Sequence, residues 1–379
     1  MLSVHLRLRR AAKRWHRAYR ETRLVASALR SPNHPILAHV VVTRRCNLAC
    51  RYCNEFDDFS KPVPTDEMIR RIDTLAALGT TVITLTGGET LLHPEIEKIV
   101  GRIRYNGIVA FQVTNGYLLT IDKIKALNLA GLDHMQISVD NVRPDAVSKK
   151  SLKVLDQKLQ WLAKYAEFRV SIHSVLGACT NNDQDALTVA RRATELGLIS
   201  TAGIVHDEAG QVKPLNREQR EIIAQIEGLS KGRFSPVAHN PWRKNLINGL
   251  PNDWHCGAGG RHLYICENGL VHWCMAQRGR PAIPLAQYTR EDIIREGAIK
   301  KDCAPYCTIF CIQRLAVIDE VRANPRQALE RFFPPSQAEG KPTSVPFPVR
   351  ALSSLFAPKG GASRSRMLER AALRILKVD

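Results

Sequence analysis

Residues 43–56 read TRRCNLACRYCNEF and place Cys46, Cys50 and Cys53 within one short stretch. Three thiols are one short of a closed tetrahedral zinc site. A disulfide would take two and strand the third. The odd number fits a metal centre with one coordination position kept open. The stretch follows AHVVVT (38–43), a short apolar run of β-type residues, and precedes DEMIRRIDTLAALG (66–79). In the latter Met68, Ile72, Leu75 and Leu78 share one helical face and Gly79 is a C-terminal stop.

Working outward, the same alternation continues. Strands are expected at 81–86, 108–114, 134–139, 168–176 and 199–205, and helices at 94–105, 120–130, 150–166, 183–197 and 216–229. Strands alternating with helices require a mostly parallel sheet with right-handed crossovers. Six units suit an α/β fold built as an open, partial (β/α)6 TIM-like barrel, spanning residues 38–232. The alternation then stops, and Pro236, Pro241, Gly249 and Pro251 read as a linker. A cysteine-rich region fills 233–333, and 334–379 reads as a flexible basic tail with a short helix at 367–378.

The chain has 379 residues, a hydrophobic fraction of 44% and ten cysteines. Residues 1–30 lack the apolar core of a signal peptide, and HPILAHVVV (34–42) is too short to span a bilayer. A reducing cytoplasm is the expected location, where clustered cysteines bind metal more often than they pair. The net charge of +19 is uneven: residues 1–30 hold nine Lys/Arg against one Glu, and 340–379 hold eight against two acidic residues. The core is close to neutral.

Cys46-x3-Cys50-x2-Cys53 resembles the CxxxCxφC motif of the radical S-adenosylmethionine (SAM) superfamily, with Tyr52 as the aromatic φ. The resemblance implies a [4Fe–4S] cluster on Cys46, Cys50 and Cys53 whose fourth iron is chelated by the amino and carboxylate groups of S-adenosylmethionine. TGGET (86–90) resembles the family's GGE motif, which implies that Gly87 and Gly88 let backbone approach the ligand and that Glu89 accepts from its ammonium group. Thr90 stands where the family often has Pro. Asn115 in TNG (114–116) is a further candidate. Ser138 and Asp140 in ISVD (137–140) correspond to the polar ribose contact on strand four. His173 on strand five faces either the ligand or the core. Taken alone, the triplet also suits a zinc knuckle and the glycines a plain strand-to-helix turn.

Residues 256–274, CGAGGRHLYICENGLVHWC, contain a hairpin turn at Glu267-Asn268-Gly269 that brings Cys256 and Cys274 toward each other. KDCAPYCTIFC (301–311) spaces Cys303, Cys307 and Cys311 four apart, on one face if the segment is helical. Both resemble the auxiliary-cluster appendage of SPASM and twitch-type radical enzymes. That implies at least one auxiliary [4Fe–4S] cluster on Cys256, Cys274 and two of the last three, with Cys266 spare. A structural zinc site is the alternative. Cys179 reads as an inert core thiol.

Residues 8–29 carry Leu8, Ala11, Ala12, Trp15, Ala18, Tyr19, Val25, Ala26 and Leu29 between basic residues, a basic amphipathic helix within the N-terminal segment 1–37. Such a helix suits an anionic membrane surface, or packs its apolar face on the barrel. No nucleic-acid motif accompanies the charge. The resemblance implies reductive cleavage of S-adenosylmethionine to a 5′-deoxyadenosyl radical that abstracts hydrogen, with flavodoxin or ferredoxin as electron donor. The basic ends favour a lipid-like or membrane-proximal substrate and a peripheral place on the inner membrane face. A ribosomal peptide is disfavoured, because 37 residues before the first strand leave no room for a peptide-recognition domain. A sugar or aminocyclitol is a further alternative, and a non-enzymatic zinc protein binding nucleic acid is the contrasting class.

Overall fold

The computed structural model describes residues 4–53, 55–177, 183–206, 211–212, 214–229, 241–324 and 327–328. Cys179, Pro236 and the whole 334–379 tail lie outside them.

A long helix α1 (Val4–Arg30) leads into β1 (Leu37–Thr43), α2 (Thr65–Ala77), β2 (Val82–Gly87), α3 (Ile96–Tyr105), β3 (Val109–Thr114) and α4 (Ile121–Ala130). β4 (His134–Ser138), α5 (Leu152–Tyr165), β5 (Arg169–Leu176), α6 (Asp183–Glu195), β6 (Ile199–Ile204) and α7 (Arg217–Leu229) complete the alternation. β1 to β6 pair in chain order and all in parallel. The sheet is open, with β6 at one edge, so the expected partial barrel is the observed architecture.

Period-two alternation sorts the side chains. Val40, Val42, Ile83, Leu85, Ala110, Met135 and Ile137 pack with Met68, Ile72 and Leu75 of α2 and Ile99 and Ile103 of α3 in the main core. The register places His39, Thr84, Phe111, His134, Ser171 and Ile199 on the opposite, inner face. Helix ends follow local chemistry: Thr120 caps α4 by accepting from the Lys123 N–H, and Gly131 ends it at φ 88°.

The cysteine-rich region continues the same sheet. β7 (His262–Ile265) pairs in parallel with the free edge of β1, and β8 (Leu270–His272) and β9 (Pro281–Pro284) follow antiparallel. The expected hairpin is β7–β8. Its turn is anchored by buried Arg71 of α2, which donates to the carbonyls of Cys266 (3.1 Å) and Glu267 (3.0 Å). Among the described residues three more helices follow: α8 (Pro241–Ile247), α9 (Arg290–Ala298) and α10 (Phe310–Ala323). The linker expected through Pro241 is therefore a short helix from that residue onward, because proline suits the first helical position.

α1 corrects an expectation. Between Arg9 and Arg20 its aromatic residues do not pack on the barrel. Its basic face does. Arg9 and Lys13 pair with buried Glu167 at 3.2 and 2.5 Å, and Arg20 pairs with buried Asp133. Arg10 donates to the Lys164 carbonyl (2.8 Å) and Lys13 to that of Asn128 (2.7 Å). The barrel's underside presents helix C-terminal carbonyls, which carry partial negative charge, beside two carboxylates. Basic side chains answer both. Trp15 and Tyr19 are left 76% and 69% exposed. Toward its end α1 packs by apolar contact, with Leu24 and Ala28 against Ile36, Leu37, Leu315 and Ile318. Among the described residues no helix is long and apolar enough to cross a membrane.

Candidate active site

The Cys46–Cys53 segment leaves the carboxyl end of β1, where parallel-sheet folds place their chemistry. The loop folds back on itself: the Cys46 N–H donates to the Asp57 carbonyl and the Asp57 N–H to that of Arg44, both at 2.9 Å. All nine described cysteines are free thiols. Burial pushes the Cys46 and Cys53 thiols above their ordinary range. They become ligands by releasing protons to a metal centre.

Gly87 and Gly88 are also required by the cysteine loop itself. A Cβ on Gly87 would lie 2.1 Å from the Thr43 carbonyl oxygen, and one on Gly88 would lie 2.3 Å from those of Arg44 and Arg45. The glycines admit the backbone of the cysteine loop itself. The Gly88 and Glu89 N–H groups then donate to the Thr43 and Arg45 carbonyls at 2.8 and 2.9 Å.

Glu89 is fully buried, which pushes its carboxyl pKa up against three hydrogen bonds. Oε1 accepts from the Leu91 N–H (2.9 Å) and the Thr114 hydroxyl (2.5 Å), and Oε2 from the Asn115 N–H (2.7 Å). Asn115 in turn directs its amide nitrogen at Asn47 Oδ1 (2.7 Å) and the Cys46 sulfur (3.7 Å). One carboxylate thus joins the ends of β2 and β3, and β3 joins the cysteine loop. Thr90 is built into the same corner: it donates to the Val113 carbonyl (2.8 Å) and accepts from Gln112 (2.9 Å).

Tyr52 and Asp140 meet directly, the phenol donating to Oδ2. Ser148 donates to the same oxygen at 2.7 Å, and Lys150 donates to the Tyr52 hydroxyl at 2.8 Å. Burial works against the Lys150 charge, but Tyr52 and Asp140 outweigh it and hold the amine above its ordinary pKa. Asp140 Oδ1 is buried with no hydrogen-bond partner, a free acceptor beside the cysteine loop. Lys150 and Ser148 carry no motif, so nothing in the sequence singles them out.

Ser138 ends β4 in register with His173 of β5. His173 bonds Thr201 Oγ1 at 3.0 Å, and burial lowers its pKa to about 4, leaving the ring neutral. A Cβ on Gly203 would fall 2.7 Å from its Nε2, so this glycine makes room for the ring.

In the second cysteine group, Cys256, Cys274 and Cys307 are buried together with Trp242, Trp254, Trp273 and Ala304. Burial pushes Cys307 well above its ordinary value, and the nearby thiols of Cys256, Cys274 and Cys303 push it further. Cys274 rises to about 12 and Cys256 to about 11 by burial and their neighbours. Cys303 and Cys307 flank a single 3-10 turn, Ala304–Tyr306, and Cys311 starts a separate helix, α10. The expected single helical face is therefore not formed, because the segment breaks after Tyr306. Cys311 packs against the edge of this group and lies near His39 and His262. Cys266 sits apart with Val41 and Tyr264.

A donor set of three thiols without imidazole or carboxylate suits an iron–sulfur cluster with one open iron. The family model described as "Radical SAM superfamily" matches residues 40–205. The chain belongs to the radical SAM superfamily and is a radical SAM enzyme, a class that implies S-adenosylmethionine and a [4Fe–4S] cluster. It is similar to the GTP 3′,8-cyclase of Limosilactobacillus fermentum, 37% identical over 112 residues, 28% of this chain and 34% of that one. The chain thus matches about a third of that relative's length. It is also similar to the PqqA peptide cyclase of Ruegeria pomeroyi, 31% identical over 280 residues, which cover 70% of this chain and 75% of that one. Streptococcus suis SuiB bound to precursor peptide SuiA shares the fold, with a TM-score of 0.52 at 12% identity over 74% of this chain and 71% of SuiB.

Proposed function

We propose that this enzyme modifies a peptide, using a [4Fe–4S] cluster on Cys46, Cys50 and Cys53 and an auxiliary cluster on Cys256, Cys274, Cys303 and Cys307. One observation carries the substrate reading. The similarity to the R. pomeroyi PqqA peptide cyclase extends beyond the family match to residues 40–205 and, at 31% identity over 280 residues, is stronger than a similarity of equal reach to the GTP 3′,8-cyclase of Campylobacter fetus, 28% over 287 residues. The auxiliary reading rests on four thiols gathered around the β7–β8 hairpin and the 3-10 turn.

When bound, the cluster and S-adenosylmethionine supply one-electron cleavage of the sulfonium and removal of a substrate hydrogen. The chain's own residues bind and orient. Asp140 offers its free Oδ1 to a ribose hydroxyl while Tyr52 and Ser148 hold its other oxygen and Lys150 holds the Tyr52 hydroxyl. Glu89 positions Asn115, and Asn115 steadies Asn47 and Cys46. Ser138 and neutral His173 line the inner face next to Asp140, where His173 can hydrogen-bond a ligand without adding charge.

The lipid-like substrate loses part of its electrostatic ground. Five of the basic residues of α1 engage the barrel, while Arg14, Arg23 and Arg30 stay exposed with Trp15 and Tyr19. The test is substrate-stimulated release of 5′-deoxyadenosine under anaerobic reducing conditions, comparing a pool of short ribosomal peptides with an extracted lipid fraction. Stimulation by peptides is expected. Stimulation by lipids alone would sink the peptide reading.

A further inference from the structure

We propose that His39 Nδ1, His262 Nε2 and Cys311 Sγ form a binding site for a single thiophilic divalent cation of the zinc class, adjoining the second cysteine group but using none of the four thiols assigned to its cluster. The inference rests on Cys303 and Cys307, rather than Cys311, serving the auxiliary cluster.

The three donor atoms all lie within 4.8 Å of one another. They converge from three elements. His39 is on β1 and His262 on β7, adjacent strands whose pairing fixes the two rings. α10 delivers Cys311 from the C-terminal side. The ring nitrogens are 2.9 Å apart, and the rings meet edge-on at 68° with centroids 5.0 Å apart, so lone pairs rather than ring faces point at the shared space. Tetrahedral coordination at about 2.0–2.1 Å requires donor nitrogens roughly 3.3 Å apart, a small opening of the present pair.

Tautomers support the same reading. His262 Nδ1 lies 2.9 Å from the Trp273 carbonyl, which can only accept. Nδ1 therefore carries the hydrogen, and Nε2 presents its lone pair to His39 and Cys311. A carbonyl on the far nitrogen is the usual way a ligating imidazole is oriented. Without an ion, His39 fills the gap by donating its Nδ1 hydrogen to that lone pair. Binding moves the His39 hydrogen to Nε2 and releases one proton, that of the Cys311 thiol. The thiolate then offsets one of the ion's two charges; burial holds the metal-free Cys311 thiol up at about 11, with Arg314, one helical turn along, working against that shift.

Two imidazoles and one thiolate suit zinc better than a hard cation and leave a fourth position open. His262 is fully buried, whereas His39 and Cys311 keep partial exposure, which provides an entry path. An ion here would clamp α10 to the two strands where the barrel joins the cysteine-rich region.

The test uses the anaerobically reconstituted full chain dialysed against zinc alone, with metal analysis and zinc-edge X-ray absorption. About one zinc per chain with one sulfur at about 2.3 Å and two imidazole nitrogens is expected. Cys311→Ser and His39→Gln should each take zinc occupancy to near zero with iron content unchanged. The unchanged iron shows that the variants are folded. Zinc uptake by Cys311→Ser equal to wild type overturns the proposal, and so does wild-type protein that takes none. Loss of about four irons in Cys311→Ser also overturns it, by making Cys311 an auxiliary-cluster ligand. Wild-type protein holding only about four irons, yet binding zinc through this set, refutes the auxiliary cluster and leaves the zinc site standing.

Discussion

The Glu89 carboxylate accepts the backbone N–H of Asn115 at 2.7 Å, joining the turn after β2 to the turn after β3. Its other oxygen accepts from Leu91 and Thr114. All three partners are donors, so Glu89→Gln must set an amide N–H against one of them. An unsatisfied buried donor costs about 1–3 kcal/mol. Chemical denaturation of Glu89→Gln should show that loss. Stability equal to wild type would refute the joining role.

Two glycines should respond in opposite directions to alanine. Gly88→Ala drives a methyl into the carbonyls of Arg44 and Arg45, which as backbone cannot turn away. The cysteine loop should be displaced and its iron lost. Gly101, inside α3, has nothing within 4 Å of its would-be methyl. Gly101→Ala should stabilise by about 0.5–1 kcal/mol through the helix preference for alanine. Iron analysis and denaturation midpoints check the pair.

Iron content separates the two cysteine groups. Anaerobically purified protein should hold about eight irons, falling to about four when Cys46, Cys50 and Cys53 are all replaced by Ala. Replacing Cys256 and Cys274 should remove the other set while 5′-deoxyadenosine formation from the first remains measurable. Full iron in the triple variant would contradict the assignment.

The two faces of α1 should behave differently. Arg20→Ala leaves buried Asp133 with one fewer cation and should cost about 1–3 kcal/mol. Trp15→Ala and Tyr19→Ala act on exposed side chains and should stay within about 0.5 kcal/mol of wild type. The reverse ranking in denaturation would mean that the aromatic face is the packed one.

Acid should weaken the fold through buried imidazoles. Burial, with Arg169, Arg17 and Arg314 nearby, lowers His134 to about 3. The unfolded chain binds this proton below about pH 6.5 and the folded one does not, so stability falls as pH drops below that value. Each such imidazole contributes about 1.4 kcal/mol per pH unit in that window. His134→Gln should reduce the stability difference between pH 7.5 and 5.5 by about that amount relative to wild type, in urea titrations followed by tryptophan fluorescence. An undiminished difference would place the acid sensitivity elsewhere.

The sequence by itself determined the alternating strands and helices, the open parallel barrel, and the cysteine loop after β1. These are local properties: period-two and period-3.6 apolar patterns and ligand spacing within one loop survive any arrangement of the rest of the chain. Tertiary structure decided which groups meet across long separations. Arg9 and Glu167 are 158 residues apart, His39 and His262 are 223 apart, and no periodicity links either pair. His39 lies within the apolar run of β1 and acquires chemical meaning only once β7 adds to β1. The basic face of α1 looked solvated or membrane-bound because charge alone cannot say what lies opposite it. What lies opposite is two buried carboxylates and a row of helix-end carbonyls, and an unpaired buried charge is costly enough to decide which face turns inward.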